Sequence, residues 1–221
     1  MESPKHIVTT SDGSHSIYVP ELDEHYHSVY GAVQESQHIF IMNGMNVSKS
    51  SPLHIFEVGF GTGLNALLTA CESINGNREI FYTSIDKYPL DEKIIRSLNH
   101  FSFAGNRGKD LFIRLHEAKD GVMTNICKNF SITKITGDFM TYDEEGSYDL
   151  IYFDAFGPDK QPELWTPEIF KKISSFTVPG GILVTYSAKG TVKRNLRAAG
   201  FEVSILGGPQ GKRHIIRAVK K

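Results

Sequence analysis

The chain has 221 residues, a formal charge of −1, 40% hydrophobic and 22% charged residues. That balance excludes a disordered chain and a protein whose overall charge would hold a nucleic acid; any such contact needs a local basic patch. No run approaches the roughly 20 apolar residues needed to cross a bilayer, residues 1–10 carry no signal-like apolar stretch, and Cys71 and Cys127 stand in no zinc or CxxC spacing. A cytoplasmic protein with two reduced thiols and no membrane partner is expected.

In chain order, His6 to Thr10 and His15 to Val19 are β-like runs around Ser11-Asp12-Gly13-Ser14, a hairpin pattern. Glu21 to Asn43 carries helical spacing and stops at Asn43-Gly44. Residues 1–50 are therefore expected to form an N-terminal extension, a hairpin plus a helix, packed on a core domain over residues 51–221. In that core, Leu53 to Val58 and Ile80 to Ile85 read as strands, each followed by a helix, Leu64 to Ser73 and Asp91 to Leu98. Between Leu111 and Thr136 the pattern is weak, with one strand expected near Ile132 to Ile135. Asp149 to Phe153 is a buried strand, Pro167 to Ser174 a helix, Ile182 to Tyr186 a strand and Thr191 to Ala199 a helix. Phe201 to Leu206 and Arg213 to Ala218 read as a closing antiparallel pair. Alternating strands and helices predict an α/β fold, a mainly parallel sheet with helices on both faces, which binds ligands at the carboxyl ends of its strands.

Four motifs fall at such ends. Glu57-Val58-Gly59-Phe60-Gly61-Thr62-Gly63 joins a strand to a helix. Its glycines let backbone approach a ligand, and the helix start offers free N–H groups. A dinucleotide fingerprint would want a further glycine at Leu64, so nicotinamide chemistry is disfavoured. Glu57, two before the first glycine, suits a nucleoside with a cationic amino-acid tail. Asp86, at the next strand end, suits a ribose diol, with Lys87 beside it. Asp138 could accept an adenine amino group, with Phe139 packing on the ring. Asp154, in Asp154-Ala155-Phe156-Gly157-Pro158, ends a buried strand beside the glycine loop, where a carboxylate can orient or deprotonate an attacking amine and Phe156 can wall the pocket.

Trp165 suits helix packing or base stacking equally. Lys189, Lys193, Arg194, Arg197, Lys212, Arg213, Arg217, Lys220 and Lys221 make the C-terminal segment basic, which fits phosphate contact or a solvated face. Nine histidines, densest in Glu24-His25-Tyr26-His27, match no metal-site spacing, and no metal is expected.

Together these residues resemble the methyltransferase half of MnmC and its stand-alone MnmD-like relatives. Glu57 to Asn65 is similar to that family's GFGTGLN signature. Asp154 to Phe156 with Pro158, Lys160, Pro162, Leu164 and Trp165 is similar to its D-[GA]-F-x-P-x-K-x-P-x-[LM]-W segment. Tyr26-His27-Ser28, Gly31-Ala32 and Glu35-Ser36 resemble its N-terminal block, and Pro179-Gly180-Gly181 through Phe201 its ending. Asp86 stands where some members have glutamate.

The resemblance implies a class I, Rossmann-like methyltransferase with a seven-stranded sheet and S-adenosyl-L-methionine as cofactor. The glycine-loop residues Gly59, Phe60, Gly61, Thr62 and Gly63, with Glu57, Asn65, Asp86, Lys87, Asp138 and Phe139, would hold it. It further implies methylation of the exocyclic amine of 5-aminomethyl-2-thiouridine at the tRNA wobble position, with Asp154 catalytic. Phe156 and Trp165 would flank the flipped-out base, and Lys160, Lys189, Lys212 and Arg213 would contact the RNA. The sequence ends at Lys221, so the flavin domain of bifunctional members is not expected and a separate enzyme would supply the aminomethyl precursor. The competing readings are a class I methyl- or aminopropyltransferase with another amine acceptor, and a non-catalytic cofactor- or RNA-binding module.

Overall fold

The computed structural model describes residues 5–221; residues 1–4 of the expected N-terminal extension lie outside that range. The extension opens with a small antiparallel sheet, β1 (His6–Thr9), β2 (His15–Val19) and a short third strand, β3 (Glu24–His25), that the sequence does not suggest. The helix expected over Glu21 to Asn43 begins only at Ala32, as α1 (Ala32–Ser36), and continues as a π-helical segment, Gln37–Met45.

Tertiary contacts override the periodicity there. Gly31 has φ +147°, and a Cβ on it would meet Asp12 Oδ2 at 2.7 Å. The hairpin loop then caps α1 from outside: Asp12 Oδ2 accepts from Gln34 N–H (3.0 Å) and Ser14 Oγ from Ala32 N–H (3.1 Å). These bonds satisfy donors that a helix start leaves orphaned, so the helix starts where the hairpin touches it.

The main sheet contains β4 (Leu53–Val58), β5 (Ile80–Asp86), β6 (Thr124–Cys127), β7 (Phe130–Thr136), β8 (Tyr148–Phe153), β9 (Thr177–Thr185), β10 (Phe201–Gly207) and β11 (His214–Lys220). Their order is β10-β11-β9-β8-β4-β5-β7-β6. The five strands from β9 to β7 are parallel; β10, β11 and β6 run antiparallel to their neighbours. The sheet thus has eight strands rather than the expected seven. The extra one is β6, turned back on β7 through Lys128-Asn129 in the stretch where the pattern was weak. Its predecessor in that stretch, α4 (Gly108–Glu117), buries Leu111, Phe112 and Leu115.

Strand alternation divides the apolar residues between two cores. Leu53 and Ile55 of β4 and Leu150 and Tyr152 of β8 face α2 (Leu64–Asn75), α4 and the π-helical segment. Phe56, Val58, Ile151 and Phe153 face α5 (Pro167–Phe176) and α6 (Gly190–Ala198). α5 begins at Pro167, with Thr166 Oγ1 accepting from Ile169 N–H, a proline-led start with a side-chain cap. The short α3 (Glu92–Ser97) follows β5. No helix among the described residues is long and apolar enough to cross a membrane.

Candidate active site

At the carboxyl ends of β4, β5, β7 and β8 lies a cavity of about 370 Å³. Its floor is the turn from β4 into α2. Gly59 and Gly63 take φ +97° and +72°, a region that L side chains rarely enter. A Cβ on Gly59 would meet Asp154 O at 2.7 Å, so bare backbone is what lets the two strand ends lie side by side. Gly61 N–H donates to Asp86 Oδ2 (2.7 Å), which ties the loop to the tip of β5. Thr62 is held from two sides: its Oγ1 lies 2.8 Å from His27 Nε2, and its carbonyl 3.2 Å from His116 Nε2. Burial pushes both imidazoles down to about 4, so both are neutral at pH 7.

Gly59, Phe60, Gly61, Thr62, Asn65, Asp86, Lys87, Asp138, Phe139, Asp154, Phe156 and Lys212 all line this one cavity. At one end, Lys87 Nζ pairs with Asp138 Oδ2 (2.8 Å), and this bond holds the Asp138 carboxyl below its usual range. Phe139 packs into the core beneath, with Lys172 Nζ 5.0 Å above its ring. At the other end, Asp154 Oδ2 accepts from Asn65 Nδ2 at 2.8 Å. Burial, then the nearby Glu35 and Glu57 carboxylates, push the Asp154 carboxyl well above its usual range, against Asn65 and Lys212.

Glu57 departs from expectation. It shares the face of β4 that Leu53 and Ile55 turn toward α2, is 0% exposed and does not reach the cavity. Its carboxylate accepts from Ser84 Oγ (2.7 Å) and Asn65 Nδ2 (3.1 Å), and burial pushes it up to about 7. Glu57 therefore anchors Asn65, and Asn65 in turn holds Asp154. Asn65 Oδ1 is buried with no partner among the described residues, an open acceptor beside the cavity.

Trp165 is likewise not on the cavity wall. It is 4% exposed, packs edge-on to Phe153 (4.8 Å) and donates its indole N–H to Phe156 O at 2.7 Å. It supports Phe156 rather than offering a face to a base. Gly63 caps α2 behind the cavity. Lys160 lies off the cavity wall, Lys189 pairs with Asp159 at the surface, and Arg213 is exposed in the β10–β11 turn away from the cavity.

The sequence reading misses the wall given by the extension and the end of β9. Tyr26 meets Phe156 edge-on at 5.1 Å, and Glu35, 7% exposed, accepts from Ser28 N–H and pairs with Lys212 Nζ at 3.1 Å. Tyr186 donates its hydroxyl to Ala155 O. Tyr26, His27 and Glu35 were visible as part of a shared block, but nothing in their types marks them as pocket residues.

The model of a family described as S-adenosyl-L-methionine-dependent methyltransferase matches residues 116–221. The bifunctional tRNA 5-methylaminomethyl-2-thiouridine biosynthesis protein MnmC of Pseudoalteromonas atlantica is 28% identical over 90% of this chain and 31% of its own length. The same-named protein of Cupriavidus metallidurans is 30% identical over 95% and 33%. The crystal structure of MnmC2 from Aquifex aeolicus superposes with a TM-score of 0.80 at 26% identity, covering all of this chain and 71% of that one. These matches make the chain similar to the methyltransferase part of MnmC. The chain spans about a third of the length of the curated relatives it matches. Spermidine synthase from Thermotoga maritima, at TM-score 0.56 and 12% identity, shares the fold.

The family whose model matches residues 116–221 is described by its dependence on S-adenosyl-L-methionine, and the cavity's chemistry fits that ligand. The glycine cradle excludes side chains where an adenosyl group must lie against backbone. Asp86 suits a diol, and the unpartnered Asn65 Oδ1 can accept from an ammonium group.

Proposed function

We propose that this protein methylates the exocyclic amine of 5-aminomethyl-2-thiouridine at the tRNA wobble position. The observation that carries the reading is Asp154: a carboxylate of raised proton affinity, aimed by Asn65 into the cavity that serves the cofactor. The product of that reaction is the nucleoside in the names of the MnmC relatives.

An aminomethyl group enters as ammonium at neutral pH, and only the free amine is a nucleophile. Asp154 Oδ2 is held by Asn65, which leaves Oδ1 to take the ammonium proton and orient the lone pair. A carboxyl raised by burial accepts that proton more readily than a solvated one would. S-adenosyl-L-methionine, when bound, would supply an electrophilic methyl on its sulfonium, and Asp154 would hold the free amine toward it. Asp86 would hold the ribose hydroxyls: each of its oxygens accepts one backbone N–H, from Gly61 and Tyr88, and retains a lone pair. Asp138 and Phe139 border the adenine end. Phe156, edge-packed on Tyr26, forms the wall against which a flipped base would rest. On this reading the enzyme acts in the cytoplasm, on a precursor made by a separate enzyme.

The test is methyl transfer from labelled S-adenosyl-L-methionine to tRNA carrying the aminomethyl group, with unmodified tRNA and spermidine-type amines as controls. Label should enter the aminomethyl tRNA alone. Label entering a small amine instead, or decarboxylated cofactor serving as an aminopropyl donor, would assign another acceptor class.

A further inference from the structure

Two buried carboxyl groups, Glu57 on β4 and Glu35 on α1, stand near the half-buried Asp154 at the end of β8, at the acceptor end of the cavity. Facing them are Asn65 of α2, Tyr82 and Ser84 of β5, Tyr152 of β8, Tyr186 after β9, and the His27 imidazole and Ser28 N–H of the extension. Such a cluster cannot carry full negative charge away from water unless a cation stands close. Among the described residues, the lysines lining the cavity are Lys87, paired with Asp138 at the adenine end, and Lys212.

Lys212 is brought there by construction. The β10–β11 turn is closed by Gly208 N–H to Arg213 O (3.1 Å) and Lys212 N–H to Pro209 O (3.0 Å). Gly211, at φ +85°, lies against the Tyr30 ring, where a Cβ would clash. His38 Nε2 lies 2.9 Å from Gly207 O and fastens the base of the turn to the π-helical segment. The Lys212 ammonium then sits 3.1 Å from Glu35 Oε1 and 4.7 Å over the Tyr186 ring, a carboxylate and an aromatic face together.

We propose that Lys212, bridged to Glu35 and laid over Tyr186, is a positioning residue that offsets the buried negative charge and keeps Asp154 a carboxylate for the acceptor amine. The idea rests on the role given to Asp154 under the proposed function. It replaces the phosphate contact that the basic C-terminal segment suggested for Lys212, because the ammonium is turned inward and already paired.

The experiment is the pH profile of single-turnover methyl transfer at saturating cofactor and tRNA, with cofactor affinity measured in parallel by calorimetry. Lys212→Met should move the acid limb upward by about one pH unit, the effect of losing a nearby opposite charge. Lys212→Arg should restore the profile. Glu35→Gln, which removes a neighbouring negative charge, should move the limb downward, and the double variant should return near wild type. Cofactor affinity should stay within about threefold in all of them, well under one factor of ten per 1.4 kcal/mol. A Lys212→Met enzyme with an unmoved profile but weaker, less salt-dependent tRNA binding would overturn the inference in favour of a phosphate contact. Asp154→Asn separates the two ideas. If it transfers methyl at the wild-type rate, the role of Asp154 fails; if it is inactive while the Lys212→Met profile is unmoved, this inference alone fails.

Discussion

Asn65→Asp isolates the link between the buried Glu57 and the cavity. The change is isosteric but turns a donor into an acceptor, where Asn65 Nδ2 now serves Asp154 at 2.8 Å and Glu57 at 3.1 Å. Two ionised carboxylates about 3 Å apart, at an effective dielectric near 20, repel by about 5 kcal/mol. Protonation relieves this, and burial at a site only 3% exposed disfavours charge on the introduced carboxyl as well, so the folded variant should hold one proton more than wild type from pH 5 to 7. In the unfolded chain the introduced carboxyl, with a pKa of about 3.9, has lost its proton across that window. The unfolded state then binds fewer protons than the native state, and stability must fall as pH rises, by about 1.4 kcal/mol per unit. Wild type has its own pH dependence, since Glu57 is pushed up to about 7, so the quantity to follow is the difference between the two proteins. Urea unfolding at pH 5, 6 and 7 should show that difference widening by about 3 kcal/mol over the window. A constant difference would mean that the three side chains do not share one buried hydrogen-bonded set.

Gly59→Ala should weaken cofactor binding by about tenfold or more, because strain at positive φ costs about 1–3 kcal/mol and the new Cβ meets Asp154 O; calorimetry reads the loss. Trp165→Phe should lower stability by about 1–3 kcal/mol by leaving Phe156 O without its donor, while methyl transfer persists at a measurable rate. A loss of tRNA affinity with unchanged thermal stability would restore Trp165 as a stacking residue.

Much of the fold is legible in the sequence because β-branched and aromatic runs alternate with amphipathic helices, and that alternation has few solutions. Asp86 and Asp154 are legible for a related reason: a polar residue ending an apolar strand of a parallel sheet must emerge at the ligand edge. Local pattern fails where distant contacts decide the outcome. Glu21 to Asn43 has helical spacing, yet the Asp12-Ser14 loop fixes the helix start at Ala32. Glu57 has the right place in the motif for a ligand contact, but strand alternation turns it under α2, and no one-dimensional rule shows that Asn65 intervenes. Trp165 and Tyr186 differ in the same way: one is packed behind Phe156 and the other lies on the cavity wall.

Methyl transfer by this protein requires that the cavity hold the cofactor with Asp154 at its reactive end. Calorimetric titration of S-adenosyl-L-methionine into wild type, Asp86→Ala and Asp154→Asn, with methyl transfer measured on the same samples, tests this directly. Wild type should bind and transfer. Asp86→Ala should lose about tenfold or more in affinity, as expected for a charge-assisted hydrogen-bond pair. Asp154→Asn should bind with affinity close to wild type and transfer nothing. Absence of binding heat in the wild type, or full transfer by Asp154→Asn, would contradict it.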